Sequence, residues 1–117
     1  MKISELVALL DGELVCCEDK LPHETAIFAA SDLLSDILGF EKDNYVLLTG
    51  LTNPQVLRTA EITNACCVVI LRNKQPQPAV AALARRNGIP LVLSPCGMFD
   101  ACCRIARALD QKGKRDG

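Results

Sequence analysis

Eight polar residues with the chemistry of an anion-binding site follow the predicted strands, each near the point where a strand ends. The set combines hydroxyl and amide side chains with two cations and one carboxylate: Ser31, Asp32, Thr49, Thr52, Asn53, Arg72, Lys74 and Ser94. The carboxyl ends of parallel strands meet at one edge of a sheet, where open α/β folds bind ligands. Together with helix N-termini, these groups suit an anionic small molecule such as a nucleotide or a phosphate ester.

A second interpretation assigns the same residues to helix caps and turns, because polar loops occur at this edge of every α/β protein. Asp32 and Asp36 lie four residues apart on one predicted helix. We interpret them as a solvated face rather than paired catalytic carboxylates, since Asp in a first turn complements the helix dipole.

If an anion binds, Arg72 and Lys74 would supply the charge. The carboxylate of Asp32 would repel free phosphate but could bond a ribose hydroxyl or a metal ion, which favours a nucleotide.

Seven cysteines form three adjacent pairs and one single residue: Cys16 with Cys17, Cys66 with Cys67, Cys102 with Cys103, and Cys96. Neighbouring side chains of a strand point to opposite faces, so one pair cannot offer both sulfurs to one metal without distortion. No zinc-type spacing is present, and the odd count argues against a disulfide framework. We expect structural cysteines and no metal. Cys96 is singled out because it precedes a helix whose dipole can make a thiol more reactive.

Motifs of known enzyme classes are missing from the sequence. It contains no Walker A loop, no G-x-G-x-x-G fingerprint and no nucleophile elbow. The single histidine, His23, stands beside Glu24 in a polar loop and is interpreted as solvated, because general base catalysis requires hydrogen-bond reach to a substrate. The sequence therefore predicts a protein that is not an enzyme.

Strands and helices alternate in the predicted arrangement. Strands are expected at residues 14–17, 25–29, 45–48, 66–71 and 89–93. Helices are expected after the N-caps Ser4, Ser31 and Asn53, after Pro78, and over residues 98–110. The second of them is expected over residues 32–38, with Gly39 ending it at a positive φ. Residues 15–23 fit a β-hairpin or a loop equally well. Two helices show apolar stripes, which comprise Leu33, Leu34, Ile37 and Leu38 in the second, and Phe99, Cys102, Ile105, Ala106 and Leu109 in the last.

This alternation predicts a single three-layer α/β domain with a mostly parallel sheet of four to five strands, flanked by helices. Half of the 117 residues are hydrophobic but only 3% are aromatic, which favours an aliphatic core and strands buried on both faces. The strand at residues 66–71 is the most apolar and is expected inside the sheet. The domain is assigned to residues 1–111, and residues 112–117 to a frayed polar tail.

Charge and hydropathy argue against two classes of partner. The net charge is −1 and both signs are interspersed, without the basic face of a nucleic-acid binder. No apolar run approaches the ~20 residues of a membrane span, and no signal-peptide pattern follows Met1. We expect a cytoplasmic protein whose partners are neither nucleic acid nor membrane.

Five segments, spread in order along nearly the whole chain, carry a resemblance to a known family. They are residues 1–7, 31–36, 48–53, 87–93 and 98–101. In this order and spacing the chain resembles the DRTGG domain family, and specifically its short stand-alone members. The departure is the namesake motif, where this chain has His23-Glu24-Thr25-Ala26-Ile27 and retains only the threonine.

The resemblance implies a non-catalytic regulatory or partner-binding module that acts as a homodimer and through a protein partner. Such domains occur beside nucleotide-sensing domains in some pyrophosphatases and at the front of some phosphate acetyltransferases. Stand-alone members are similar to small proteins of anaerobic bacteria found with iron-only hydrogenase and signalling-ATPase components. No cofactor is implied apart from a nucleotide effector. The first helix and the strand at residues 14–17 are the expected dimer contact, because that strand offers an unpaired edge.

Three other functions stay open as alternatives. One is a nucleotide or phosphate sensor in its own right, and another is an iron–sulfur or metal-handling accessory protein. A weak hydrolase or transferase is the last. An iron–sulfur cluster needs about four converging thiolates, which the cysteine spacing does not indicate.

Overall fold

Helices and strands alternate along the chain as the hydrophobic pattern predicts. The computed structural model describes residues 1–116, with side chains through residue 113. The helices are α1 (Ile3–Leu9), α2 (Leu34–Leu38), α3 (Gln55–Ile62), α4 (Pro78–Asn87) and α5 (Met98–Asp116). The strands are β1 (Glu13–Cys16), β2 (Ile27–Ala30), β3 (Tyr45–Thr49), β4 (Ala65–Ile70) and β5 (Leu91–Leu93). A short 3₁₀ helix, Glu18–Lys20, follows β1, so the segment that fitted a hairpin or a loop is a loop with one helical turn.

The strands of the described chain form one sheet in the order β1-β5-β4-β3-β2. Strands β2, β3, β4 and β5 run parallel, and β1 runs antiparallel to β5. Because β4 lies in the middle of this order, the expectation that the most apolar strand is interior is confirmed. The predicted fold class, a three-layer α/β domain with a mostly parallel sheet, is also confirmed.

Helices cover both faces of the sheet. On one face, α2, α3 and α4 contribute a core of aliphatic side chains: Ile37, Val56, Leu57, Ala60, Val80 and Ala84. On the other face, α1 and α5 contribute Ile3, Leu6, Ala101 and Ile105. Alternate residues of β3 and β4 point into these two cores, and each large aliphatic side chain fully buried in this way contributes roughly 1.5–3 kcal/mol. The sheet is therefore packed on both faces, and its strand ends position the loops that follow them.

The first helix begins earlier than predicted. Its N-cap is Lys2, whose backbone N–H donates to Oε1 of Glu5 at 3.0 Å. That hydrogen bond is the main reason the pKa of Glu5 lies below its usual range. The backbone N–H of Ser4 donates instead to the carbonyl of Leu21. The prediction of Ser4 as the cap is wrong, because a distant loop satisfies the backbone of the first turn.

The second helix is shorter than predicted and starts at Leu34 rather than at Asp32. Gly39 ends it with φ −85°, not with a positive φ. Leu33 and Leu38 are 57% and 55% exposed, so the four-residue apolar stripe is wrong for these two residues. Since Asp32 lies outside the helix, its side chain is free to reach the neighbouring strand ends.

The last helix continues to Asp116, past the expected end near residue 110. The placement of Phe99 and Ala106 on its buried stripe is wrong, because Phe99 is 83% exposed and Ala106 is also exposed. The predicted tail, residues 112–117, falls in part outside the described residues, and the boundary at residue 111 stays a prediction.

Gly88 ends α4 with φ +67°, as a terminating glycine should. In the described part of the chain, no helix combines the length and apolarity needed to cross a membrane.

Candidate functional site at the carboxyl edge of the sheet

The carboxyl ends of β2, β3 and β4 bring three separate segments together. Asp32 follows β2, Thr49 is the last residue of β3, and Arg72 follows β4 after one intervening residue. The three strands are parallel neighbours, so these residues reach the same edge of the sheet. We call Asp32, Thr49, Gly50 and Arg72 the edge cluster.

Asp32 is the centre of the edge cluster. Its Oδ1 accepts a hydrogen bond from the backbone N–H of Gly50 at 2.6 Å and another from Oγ1 of Thr49 at 3.2 Å. Its Oδ2 accepts from Nη2 of Arg72 at 2.9 Å. The Gly50 N–H is the largest cause that holds the pKa of Asp32 below its usual range. Partial burial opposes it, and Arg72 and Thr49 reinforce it. Asp32 is therefore a carboxylate at neutral pH.

Gly50 makes room for the guanidinium group of Arg72. A Cβ atom at position 50 would stand 1.8 Å from Nη2 and 2.7 Å from Cζ of Arg72, closer than any side chain tolerates. Only glycine lets the cation lie against this backbone while the N–H of residue 50 still points at Asp32. The sequence showed Gly50 as the start of a turn, but its role beside Arg72 depends on a residue 22 positions later and could not be read locally.

A left-handed turn fixes the base of the Arg72 side chain. Arg72 and Asn73 have φ values of +63° and +55°, which non-glycine residues seldom adopt. The backbone N–H of Arg72 donates to the carbonyl of Cys96 at 2.8 Å, and that of Asn73 donates to the carbonyl of Ser94 at 2.9 Å. The loop after β5 thus holds the turn. The Arg72 side chain remains 43% exposed and that of Asp32 42% exposed, so both are accessible from solvent.

Four other predicted residues surround the edge cluster or lie beside it in sequence. Ser31 and Asn53 each use a side-chain oxygen to accept the backbone N–H two residues further on, at 2.9 and 3.0 Å. The carbonyl of Thr52 accepts from the backbone N–H of Gln77. These are hydrogen bonds of turn residues, and the prediction that Ser31 and Asn53 cap helices is wrong, because the N-caps of α2 and α3 are Leu33 and Pro54. Lys74 is exposed, two residues after Arg72.

Ser94 does not join the edge cluster, although it follows β5. Its hydroxyl is 1% exposed and donates to the carbonyl of Leu10 at 2.6 Å, while accepting the backbone N–H of Cys96 at 3.1 Å. Its side chain therefore faces the layer of α1 and α5. Sequence reasoning placed Ser94 at the correct end of its strand but could not tell toward which layer its hydroxyl points.

The segment that replaces the namesake motif lies at the opposite, amino edge of the sheet. Oγ1 of Thr25, the one retained residue, donates to the carbonyl of Asn44 at 2.5 Å and accepts the backbone N–H of Ile27 at 3.1 Å. A ring nitrogen of His23 lies 2.5 Å from Oδ1 of Asn44. The N-terminal ammonium of Met1 donates to the carbonyl of Thr25 at 2.9 Å. These contacts tie the start of β2 to its neighbours, so Thr25 has a structural role here.

In the described chain no cysteine forms a disulfide bond; three are buried (Cys16, Cys67 and Cys96) and the other four are partly buried. Burial raises the pKa of the Cys66 and Cys102 thiols, and raises that of Cys67 well above its usual range. Cys96 is buried, and its thiol donates to the carbonyl of Leu10 at 3.5 Å, away from the carboxyl-edge surface. Among the residues whose positions are described, no group of three or more His, Cys, Asp or Glu side chains could hold a metal ion.

Chemically, the edge cluster can recognise a molecule that carries both a negative charge and a hydroxyl group. A guanidinium has five N–H donors, and the interaction with Asp32 engages Nη2 alone among the described contacts of Arg72. The exposed oxygens of Asp32 can accept from a sugar hydroxyl, and Lys74 adds a second cation nearby in sequence. The hydroxyl of Thr49 is already engaged by Asp32, whereas Arg72 keeps exposed donors that an anion could reach.

Comparisons with known proteins identify the fold. No family model matches the chain, and no curated protein sequence matches it. A solved structure does share the fold, namely the CBS and DRTGG domains of the regulatory region of Clostridium perfringens pyrophosphatase, complexed with its activator diadenosine tetraphosphate. The TM-score is 0.72 at 14% sequence identity over 89% of this chain. The chain spans 45% of the length of that structure. It therefore has a DRTGG-like fold, as the resemblance predicted.

Proposed function

We propose that this chain is a non-catalytic, cytoplasmic regulatory module that binds a nucleotide at the edge cluster. The observation that carries the proposal is the placement of Arg72, which lies against the backbone of Gly50 and bonds to Asp32 while more than a third of its side chain stays exposed. Because this guanidinium contacts the loops after three strands and is still open to solvent, it is suited to binding a negatively charged ligand.

The presence of Asp32 determines which anion fits. A free phosphate near Arg72 would be repelled by the adjacent carboxylate, whose charge persists because its pKa is lowered. A nucleotide presents phosphate oxygens to Arg72 and Lys74 and a ribose hydroxyl to Asp32, so both charges find complementary partners. The activator bound to the pyrophosphatase structure, diadenosine tetraphosphate, is a ligand of this type and supports the choice by analogy of fold.

Calorimetric titration with adenine nucleotides and diadenosine tetraphosphate tests the proposal. We expect binding by the wild-type chain and a loss of about tenfold or more in affinity for the double variant Arg72→Ala, Lys74→Ala, because each charged contact contributes about 1.5–3 kcal/mol. The matched control is Arg85→Ala, Arg86→Ala, which removes two exposed cations from the last turn of α4. Equal affinity in all three proteins, or no binding heat with any of these nucleotides, would mean that the edge cluster is a structural tie between loops.

A homodimer is a second part of the proposal. β1 is a terminal strand of the sheet in the described chain, so one side of it is free of sheet partners. We propose that β1 and α1 form the contact, with a protein partner recognised by the resulting assembly. Light scattering at tens of micromolar should give twice the monomer mass. A monomer at that concentration would count against the dimer, and a dimer that survives charge substitutions in β1 would point to β2, the other terminal strand.

The physiological setting implied by the family resemblance is also a proposal. It would link this module to an iron-only hydrogenase or a signalling ATPase of an anaerobic bacterium. Direct titration of the purified chain against purified hydrogenase and ATPase components, with and without the nucleotide that binds, tests it. Saturable binding that depends on nucleotide is expected, and an absence of binding in both states would remove the link.

A further inference from the structure

The sulfur atoms of Cys16 and Cys17 converge on one another. The two Sγ atoms lie 3.6 Å apart, although the residues are adjacent in sequence. In a regular strand, successive side chains point to opposite faces of the sheet. The sequence therefore predicted that such a pair could not offer both sulfurs to one ion without distortion, and the structure contains that distortion.

The distortion is a left-handed residue at the end of β1. Cys17 has φ +68° and ψ +50°, a conformation in which the Cβ of a non-glycine residue is crowded. This rotation turns the Cys17 side chain back toward the Cys16 side. Each thiol also lies near a backbone carbonyl, that of Ile89 at 3.6 Å for Cys16 and that of Ala84 at 3.9 Å for Cys17. The Cys17 thiol also donates to the sulfur of Cys16, but a thiol is a weak donor and its sulfur a weak acceptor, so none of these contacts holds either sulfur strongly.

The separation of the sulfurs matches that of two thiolates on one metal ion. Two thiolates at about 2.3 Å from one ion, the distance they take on zinc, lie about 3.8 Å apart when the angle at the ion is near tetrahedral, so this spacing fits an ion held in a bent arrangement with room for a further ligand. The observed 3.6 Å is close to this distance. A disulfide is a poorer fit, because it prefers Cα atoms at least about 4.4 Å apart, whereas adjacent Cα atoms across a trans peptide are about 3.8 Å apart.

The surroundings of the pair select a soft ion that accepts few ligands. Among the described residues, no third His, Cys, Asp or Glu joins the two thiols to complete a site of three or more. Zinc and iron–sulfur sites need three or four protein ligands. Monovalent copper is a soft ion that prefers thiolates, and two of them with one external ligand complete a three-coordinate site. Cys16 is 7% exposed and packs in the aliphatic core, while Cys17 is only partly buried, so the pair can be reached from the Cys17 side.

We propose that Cys16 and Cys17 form a two-thiolate site for monovalent copper, with a coordination position left open toward solvent. On binding, each thiol loses its proton to water and each sulfur forms one bond to the ion, without any change in oxidation state. The open position would allow an external thiolate to join and take over the ion, which makes the site suited to transfer as well as to storage.

The test is an anaerobic titration of the full chain with monovalent copper against a chromophoric copper chelator. We expect one tightly bound ion per wild-type chain. Cys17→Ser, at a partly exposed position, should lower the affinity about 100-fold or more, since joining two binding groups typically gains that much. Cys16→Ala is the second variant. Circular dichroism and thermal melting establish that each variant is folded.

The matched control is the double variant Cys102→Ala, Cys103→Ser, which removes another adjacent pair of partly buried cysteines. Successive residues of a helix lie about 100° apart around its axis, so this pair should not chelate. The proposal requires the control to keep the wild-type affinity. It is overturned if the control loses the tight ion instead, if Cys17→Ser binds as tightly as the wild type, or if the wild type fails to compete with the chelator.

Discussion

Arg72 and Arg104 both make ion pairs within the described part of the chain, and their surroundings differ. Arg104 in α5 bonds to Asp11 at 3.0 Å, to both oxygens of Asp100 at 3.2 Å, and to the carbonyl of Leu9 at 3.1 Å. Arg72 bonds through one nitrogen to one carboxylate. The donors of Arg104 are largely used by partners that join α5 to the end of α1, whereas Arg72 keeps donors that face solvent.

The net charge around each arginine also distinguishes Arg104 from Arg72. The pKa of Arg104 is raised above its ordinary value. The hydrogen bond to Asp11 is the largest cause, and the hydrogen bond to Asp100 is the second. Two carboxylates around one guanidinium leave a net negative charge, which does not attract an anion. One carboxylate beside Arg72, with Lys74 close in sequence, leaves a net positive charge. The two ion pairs thus differ in local charge and in the number of guanidinium donors left unused, and these differences are the basis for proposing Arg72 rather than Arg104 as the ligand contact.

The largest effect on stability is expected from Asp32→Ala. Asp32 accepts two backbone or hydroxyl donors besides Arg72, and hydrogen bonds to a charged group contribute about 1.5–3 kcal/mol each when buried. Because the side chain is 42% exposed, solvent screening reduces this, and we expect a total loss of about 1–2 kcal/mol. Urea unfolding measures it, with Glu41→Ala, an exposed loop carboxylate, as the control. If both variants lose the same unfolding free energy, the hydrogen bonds of Asp32 add no stability beyond that of an exposed loop carboxylate.

Arg104→Ala should have a smaller effect than Asp32→Ala. Its ion pairs are solvent-exposed, and exposed pairs contribute little because water and salt screen them. We expect a modest decrease in melting temperature that shrinks further at high salt, with nucleotide binding unchanged. A decrease in nucleotide affinity comparable to that of the Arg72 variant would remove the distinction between the two arginines.

Acid should reveal the contribution of Asp32 in a defined direction. The folded-state pKa of Asp32 is lowered, so its stabilising effect is fully present above the unfolded pKa of about 3.9. It is lost as the pH falls through the lower, folded pKa. Asp32→Asn removes this term, so the wild type and the variant should differ most near neutral pH and converge in acid. A difference that stays constant from pH 7 to pH 2 contradicts this assignment.

The smallest effect on stability is expected from Gly50→Ala. Gly50 has no positive φ, and the atoms that the new methyl group meets belong to the flexible end of Arg72, which can swing away. We expect unfolding free energy within about 0.5 kcal/mol of wild type. Calorimetry should nevertheless show weaker nucleotide binding, because the guanidinium is displaced while its charge is kept. Unchanged binding would mean that the position of Arg72 against Gly50 is irrelevant to the ligand.

Much of the fold followed from local patterns, but the ends of elements were less predictable. The buried strand at β4 was recognisable because its apolar run is unbroken, and the end of α4 because Gly88 supplies the positive φ. The predicted starts of α1 and α2 were wrong because groups distant in sequence form hydrogen bonds with residues that were expected at the helix starts. The carbonyl of Leu21 accepts the N–H of Ser4, and the backbone of Gly50 draws Asp32 away from the helix.

The sequence by itself determined the alternation of strands and helices, the aliphatic interior and the set of polar residues at the carboxyl ends. These depend on periodicity and residue type, which act over a few positions. Only the tertiary structure decided that Asp32 pairs with Arg72 forty residues away, that Ser94 turns toward α1, and that Cys16 and Cys17 converge. Such choices depend on strand order and on single left-handed residues. Packing across the whole sheet can impose these conformations on residues whose own preferences do not predict them.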